Sequence, residues 1–416
     1  MNNGICFFIS LLFCCFTLVT KAQVLGCTDV EANNYNATAT INDGSCLYNN
    51  TTIVAIDTIL LSDSIAETSG LIFWDSKLWS HNDDTDLTLY ALDTLTGSIK
   101  KKQTLTNCIN TDWEEISQDS LFVYVGDFGN NASGNRTNLQ ILRILKSSII
   151  NNTLQIDTIK FSYSNQTNFA SSAPNNTNYD CEAFIVSRDS IYLFTKQWLN
   201  KKTRLFVLSK QPGTHSAMLR DSLNAQGLIT GATYLEDKKV IALCGYTQYL
   251  QPFVTLLYDF KQHHFFKGNK RRLEVSLPFY QTEGITTHDG NTFFISNEKY
   301  INTTYSVNTQ QSIHVFDFNP YLTNYYQQLA TGLKKNDNPE LSIVFYPNPV
   351  AQSLSIKSTT TSSINYSITS MMGDCILTGT ISPSESIDLS QLSNGIYVIT
   401  LSEKQHTKTI KFAKIK

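Results

Sequence analysis

Through the middle of the chain, short runs of alternating apolar and polar residues recur in pairs, each pair joined by a tight turn. ETSGLIFWDSKLWSHND from Glu67 aligns with DWEEISQDSLFVYVGDFGN from Asp112, DCEAFIVSRDSIYLFTK from Asp180, LITGATYLEDKKVIALCGY from Leu228 and QTEGITTHDGNTFFISNE from Gln281. A period of two marks strands, and the Asp, Lys and Gly between them are hairpin residues. A third run follows each pair, at Leu87 to Leu92, Leu139 to Ile144, Leu205 to Leu208, Thr255 to Phe260 and Ile313 to Phe318. Units that restart roughly every 45 to 70 residues fit four-stranded propeller blades. Five units are legible, and the span Arg143 to Tyr179 is long enough for another, so five to six blades are expected. Ile53 to Leu61 is placed to close the ring against the last blade. A large sandwich or a β-helix is the alternative for the same strands.

After the polar run Lys334 to Glu340 the pattern changes. Short strands at Ser353 to Lys357, Ile364 to Ser370, Cys375 to Thr380, Ile387 to Leu389, Ile396 to Leu401 and Thr409 to Ala413 are separated by turn residues, including Met372-Gly373-Asp374 and Ser393-Asn394-Gly395. They predict a small Ig-like antiparallel β-sandwich. The other end opens with an apolar stretch, Ile5 to Val19, after a polar start and before Ala22. This is the layout of a signal peptide cleaved after Ala22, too short to span a bilayer. The lipoprotein alternative, on Cys14 or Cys15, places the bulky Phe13 where a small residue is usual. The expected organisation is a leader at 1–22, a Cys-bracketed Asn/Asp-rich element at 23–50, a propeller at 51–335 and a sandwich at 341–416.

Composition narrows the picture. The chain has 416 residues, of which 20 are Tyr and 23 Phe, and only 16% are charged, a bias toward sheet and turn in an all-β protein. A net charge of -3 excludes nucleic-acid or membrane binding by bulk charge. No nucleic-acid partner and no transmembrane segment are expected, and a monomer is. An exported chain meets an oxidising compartment, where Cys27 and Cys46 would staple the N-terminal element as a disulfide. Asp29, Asn34, Asn42 and Asp43 between them are hard oxygen donors suited to calcium, or equally to local turn bonds. Cys108 and Cys181 could bridge adjacent blades, while Cys244 and Cys375 fall on strands.

The repeat also places the candidate chemistry. The first strand of a blade lines the central channel, so Glu114, Glu182 and Glu283, with Thr230 and Ser69 at the equivalent positions and Glu67 just before, would face one axis. Carboxylates so gathered repel unless neutralised. Glu67, Asn82, Glu114, Glu182, Glu283 and Asn297 are therefore the candidate metal ligands, suited to calcium (Ca) or magnesium rather than zinc. The competing reading has each Glu bound to backbone or to a Lys or Arg, as a latch between blades. On the rim, His81 would transfer protons and Arg136 or Lys196 would hold an anionic group. Neither Gly-x-Ser-x-Gly nor His-Glu-x-x-His is present.

Three resemblances add to this. Gly26 to Tyr48, GCTDVEANNYNATATINDGSCLY, resembles an element of many secreted Bacteroidetes proteins. Residues 341–416, with YPNPV, the SxxGxxxxxG centre around Gly373 and Gly379, IDLSQLSNGIYVITL and KTIKFAK, resemble the type A C-terminal sorting domain of the type IX secretion system. That implies a secreted or outer-surface protein of a Bacteroidetes bacterium, with the secretion machinery and a sortase as partners. Residues 65–298 are similar to secreted bacterial propellers related to NHL, lactonase-like and esterase-like phytase families. Two functions stay open. One is a binding propeller using rim aromatics such as Trp79, Trp198, Tyr246 and Tyr249. The other is a calcium-dependent esterase or phosphatase with its site at the channel mouth, for which the resemblance to hydrolytic propellers implies Asp127 as the other proton-transfer candidate beside His81.

Overall fold

The computed structural model describes residues 23–331, 343–358, 363–370, 375–382, 385–403 and 406–415. The expected leader, the run Lys334 to Glu340 and the Met372-Gly373-Asp374 turn lie outside these residues. The chain divides into two units, meeting at Gln327 and Gln328.

In the first unit five antiparallel sheets stand around an axis. Blade 1 comprises Thr68–Trp74, Lys77–Asn82, Thr88–Leu92 and Ile99–Thr104. Blade 2 comprises Trp113–Gln118, Phe122–Asp127, Gln140–Leu145 and Ile156–Tyr163. Blade 3 comprises Asp180–Val186, Ser190–Lys196, Thr203–Ser209 and Gly213–Leu223. Blade 4 comprises Leu228–Leu235, Val240–Tyr246, Pro252–Tyr258 and Asn269–Val275. Blade 5 takes Thr282–Thr287, Thr292–Asn297 and Ser312–Asp317 from its own segment and its outer strand, Asp57–Leu60, from the start of the chain. The five first strands neighbour one another in a closed ring, with that of blade 5 beside that of blade 1. The early run therefore closes the propeller, as its pattern predicts.

The ring has five blades, and the sixth is absent. Arg143 to Tyr179 instead holds the short helix Lys146–Ile150, the outer strand of blade 2 and a loop. Its length is explained by Ile156–Tyr163 pairing in parallel with Gly213–Leu223, the outer strand of blade 3, which joins the two blades into one eight-stranded sheet.

Strands sandwiched between neighbouring blades bury both faces, so the inner strands read as nearly unbroken apolar runs. Ile72 and Trp79 of blade 1 pack with Trp113, Ile116 and Val125 of blade 2. Phe184 and Leu193 of blade 3 pack with Tyr124 and Phe161 of blade 2, and Leu71 and Leu78 pack with Phe294 and Ile313 of blade 5.

The N-terminal element is stapled by a Cys27–Cys46 disulfide and seated on blade 4. Asp29 Oδ2 accepts from Tyr258 Oη at 2.7 Å and Tyr48 Oη at 2.8 Å, and Glu31 pairs with Arg271. Asn42 Nδ2 donates to Asp259 at 2.8 Å and to Asn269 at 2.7 Å while its Oδ1 accepts from the Gly44 N–H at 2.9 Å, Asn34 spans to Ser45 and Leu47, and Asp43 accepts from the Ser45 N–H. The oxygens suited to calcium are thus engaged in turn and docking bonds to separate partners. Cys108, Cys181 and Cys244 are free thiols, so Cys108 and Cys181 form no bridge.

The second unit is a sandwich of a three-stranded sheet (Ile343–Tyr346, Ser353–Ser358, Ser386–Asp388) and a four-stranded one (Cys375–Ile381, Ile364–Ser370, Gly395–Glu403, His406–Lys414). Leu354, Ile356, Ile368, Ile387, Ile399 and Phe412 form its core, in keeping with the alternation of its strands.

Candidate functional site

Every first strand carries a bulge against its neighbour near its start. Register is lost between Thr68 and Leu71, around Glu114, between Cys181 and Ala183, between Ile229 and Gly231, and between Thr282 and Ile285. The extra residues are Ser69, Glu114, Glu182, Thr230 and Glu283, the series aligned in the sequence. A bulge leaves a residue outside the ladder and re-aims its side chain, and five of them place this series around the channel. The two hydroxyls tie adjacent blades: Ser69 Oγ donates to the Glu114 carbonyl and Thr230 Oγ1 to that of Thr282.

The carboxylates fall into two groups. Glu114, Asp180 and Glu182 are buried and bring carboxylate oxygens within 4.8 Å of one another; Glu67, Asp83 and Glu298, further out, do the same. Asp180 is held by the Asn130 N–H at 2.7 Å and by Trp198 Nε1 at 2.7 Å. Lys196 pairs with Glu182 and donates to Tyr246 Oη at 3.2 Å. Burial disfavours its ammonium, yet Glu182, Tyr246 and Glu283 outweigh that and hold its pKa well above the usual lysine value. No hydrogen bond to the Glu114 or Glu283 carboxylate occurs among the described residues. Burial, reinforced by neighbouring acids, pushes both well above the ordinary range. Asp112, beside them, is pushed up to about 6 by burial and then Asp180. A Cβ on Gly129 would lie 2.1 Å from Glu114 Oε1 and 2.3 Å from Asp112 Oδ2, so this turn must be glycine for the acids to pack against it.

In the outer group, burial followed by Glu298 and Glu67 pushes Asp83 up to about 8, and burial followed by Glu67 pushes Glu298 up to about 7. Glu67 is raised by burial and Asp84. Like charges crowded in partial burial behave this way even though Lys299 opposes the rise at Glu67 and Lys196 that at Glu298.

Of the expected ligands, then, the structure groups Glu114 with Glu182 and adds Asp180, and it groups Glu67 with Asp83 and Glu298. Asn297 Oδ1 meets His314 Nε2 at 2.8 Å, whereas Asn82 Nδ2 donates to the Ser64 carbonyl and to Asp86, each at 3.1 Å, and leaves its buried Oδ1 without a hydrogen-bond partner among the described residues. Asp112 and Asp180, missed in the sequence, precede the bulge residue by two positions as Glu67 does, in an acid-x-bulge spacing that the aligned units already contain.

The rim assignments need correction. His81 is fully buried, edge-on to Trp113, with Nδ1 3.0 Å from the Asn82 carbonyl; burial lowers its pKa to about 4. It is neutral and out of reach of solvent. Arg136 pairs with buried Asp127 at 2.8 Å and donates to the Gly129 carbonyl at 2.7 Å, while Gln140 occupies the other Asp127 oxygen at 2.9 Å. Neither Arg136 nor Lys196 offers an uncommitted charge to an anion. Trp79 lies in the core and Tyr246 is buried against Lys196; of the four aromatics proposed for the rim only Tyr249, 77% exposed, stands free.

One residue was not foreseen at all. At the position after the bulge residue four blades carry Gly70, Ala183, Gly231 and Gly284, and blade 2 carries Glu115. Its side chain fills the space these small residues leave. It accepts from the N–H groups of Ile116 (3.0 Å), Leu71 (3.3 Å) and Ala232 (2.8 Å), joining blades 2, 1 and 4. A Cβ on Gly70 would sit 2.3 Å from its Oε1.

Against known proteins, residues 344–415 match the family described as the secretion system C-terminal sorting domain. No curated protein matches the chain. Among solved structures, PorZ, a surface component of the type IX secretion system of Porphyromonas gingivalis, is 13% identical at a TM-score of 0.31, over 84% of this chain and 45% of that one. The chain thus spans less than half the length of PorZ. The PQQ-bound aldose sugar dehydrogenase of Streptomyces coelicolor is 9% identical at 0.36, over 63% and 97%. The extracellular domain of BT4673 from B. thetaiotaomicron is 10% identical at 0.29, over 88% and 60%. The propeller itself rests on the strand order above. No helix among the described residues is long and apolar enough to cross a membrane. Residues 344–415 are a sorting domain of the type IX secretion system, and the chain is a secreted or cell-surface protein that carries a β-propeller.

Proposed function

We propose that the propeller is an extracellular recognition module whose binding face is the acidic channel mouth. A divalent cation of calcium's kind is held there by Glu67, Asp83 and Glu298. The observation that carries this reading is the state of the groups that hydrolysis would need. His81 is neutral and buried, Arg136 and Asp127 are closed on each other, and Lys196 is bound to Glu182. Among the described residues at this site no base stands free beside a nucleophile, which favours binding over turnover. The outer acids, by contrast, stay raised despite Lys299 near Glu67 and Lys196 near Glu298, and three carboxylates within 4.8 Å suit an oxygen-seeking ion. The cation then presents open coordination positions to an oxygen-rich ligand outside the cell. The sorting domain delivers the module by engaging the secretion machinery, and a sortase removes it.

The test pairs calcium titration of the mature chain with assays on nitrophenyl ester and phosphate substrates. Calcium should raise the melting temperature, with Asp83→Asn abolishing the effect, and neither substrate should be turned over. Turnover lost on chelation and in Glu182→Gln would replace this reading with the calcium-dependent hydrolase.

A further inference from the structure

Below Glu115 the channel opens again. At the end opposite the acidic mouth the five first strands surround a cavity of about 400 Å³, lined by residues of every blade, among them Phe73, Ser117, Val186, Thr233, Thr286 and His288. Pockets of roughly 300–1,000 Å³ hold small ligands. Leu71, Ile116 and Ala232, whose backbone N–H groups are held by the Glu115 carboxylate, belong to its lining. No Asp, Glu, Lys or Arg lines it, in contrast to the acidic mouth.

Two features define what fits. The hydroxyls of Ser117, Thr233 and Thr286 make no hydrogen bond among the described residues, although Ser117 is 9% and Thr286 3% exposed. With no protein partner, these three hydroxyls of cavity-lining residues stand ready for a ligand that brings its own donors and acceptors. At the lip, the rings of Phe73 and His288 lie 4.8 Å apart, the phenyl offering an apolar face beside an imidazole that is 3.7 Å from Asp289, and Leu71 and Ile116 also line the cavity. A charged ligand would find no carboxylate, ammonium or guanidinium in the lining, only His288 at the lip, and a purely apolar one would leave the hydroxyls dry and unpaired.

From this lining we infer that the lower end of the channel is a second binding site, for a neutral hydroxylated ring of monosaccharide to disaccharide size. Its hydroxyls bond Ser117, Thr233 and Thr286, and one ring face lies on Phe73. The site is independent of the cation at the mouth.

The test is saturation-transfer NMR on the mature full chain with the methyl glycosides of glucose, galactose, mannose and N-acetylglucosamine, in calcium and in chelator. At least one glycoside should receive saturation in both buffers and shift the His288 ring signals. Thr286→Val, which replaces the hydroxyl by a methyl, should weaken binding about ten-fold, equivalent to about 1.4 kcal/mol, with no change in melting temperature. His288 shifts in the unaltered protein report the site even if that variant folds poorly. Saturation of none of the four glycosides, saturation without a His288 response, or transfer to indole alone would each overturn the assignment. Loss of binding in chelator would place the sugar at the mouth instead and overturn it as well.

Discussion

Glu115 of blade 2 accepts a hydrogen bond from the backbone N–H of Ala232 in blade 4, 2.8 Å away across the channel and 117 residues on in the chain. With its bonds to Leu71 and Ile116 it makes one buried side chain the common acceptor of three blades. Burial pushes its carboxyl well above the ordinary range, and the three N–H groups pull it back.

Replacing Glu115 by Ala should therefore leave three buried donors without a partner. A loss of about 3 kcal/mol is expected in urea unfolding followed by tryptophan fluorescence. Glu115→Gln keeps one acceptor oxygen and turns an amide toward a remaining N–H, for a loss of about 1 kcal/mol. Equal losses in the two variants would show that filling space, and not accepting hydrogen bonds, is what Glu115 contributes.

Lys196 and Glu182 form a buried ion pair, 4% and 3% exposed. Lys196→Met should cost about 3–5 kcal/mol near neutral pH because Glu182 is left as a lone buried charge. Lys196→Met with Glu182→Leu should restore most of it. Burial raises Glu182 and Lys196 opposes the rise, so the folded pKa climbs further once Lys196 is gone. In the single variant the deficit should shrink as pH falls toward the unfolded carboxyl value. A deficit independent of pH would refute the ion-pair account.

At the mouth the sign is the same. Asp83 and Glu298 have folded pKa values of about 8 and about 7, above their ordinary values, so ionising them opposes folding. The penalty is absent below about pH 4, grows through the interval and is complete above about pH 8. Without metal, melting temperature should fall across that window. Calcium should restore it at pH 8 and have little effect at pH 5, which scanning fluorimetry in both buffers will check. An equal calcium effect at the two pH values would remove these acids as the ligands.

Reduction of Cys27–Cys46, which closes a loop between residues 19 apart, should cost about 3 kcal/mol in the N-terminal element. Because Asp29 and Glu31 fasten that element to Tyr258 and Arg271, the loss should spread to blade 4. Hydrogen exchange with and without reductant would show weakened protection in Asn269–Val275. Exchange confined to residues 23–50 would show that the element does not brace the propeller.

Removing residues 344–415 should stop export in a host with a type IX system and leave the propeller folded. The readout is the compartment in which the truncated chain accumulates, and its appearance in the medium at full yield would contradict the role of the tail.

Much of this was legible before any coordinates. Alternation with a period of two, restarted at five points, marks strands and their grouping because each blade must bury both faces against its neighbours. Likewise, Ser69, Glu114, Glu182, Thr230 and Glu283 could be aligned because every blade bulges at the same place. Blade number was less certain, since strand length in Ile156–Tyr163 reflects a parallel pairing with blade 3 that no local pattern records.

What the chain order could not decide is which side chains become neighbours across the axis. Lys196 looks like an anion binder in isolation and His81 like a rim base. Ring closure places the one against Glu182 and seals the other against Trp113, because burial and a nearby opposite charge are properties of the assembled blades. Glu115 is the plainest case. Its four small counterparts are visible in the alignment, but the space they leave belongs to one side chain only once five strands converge on a common centre.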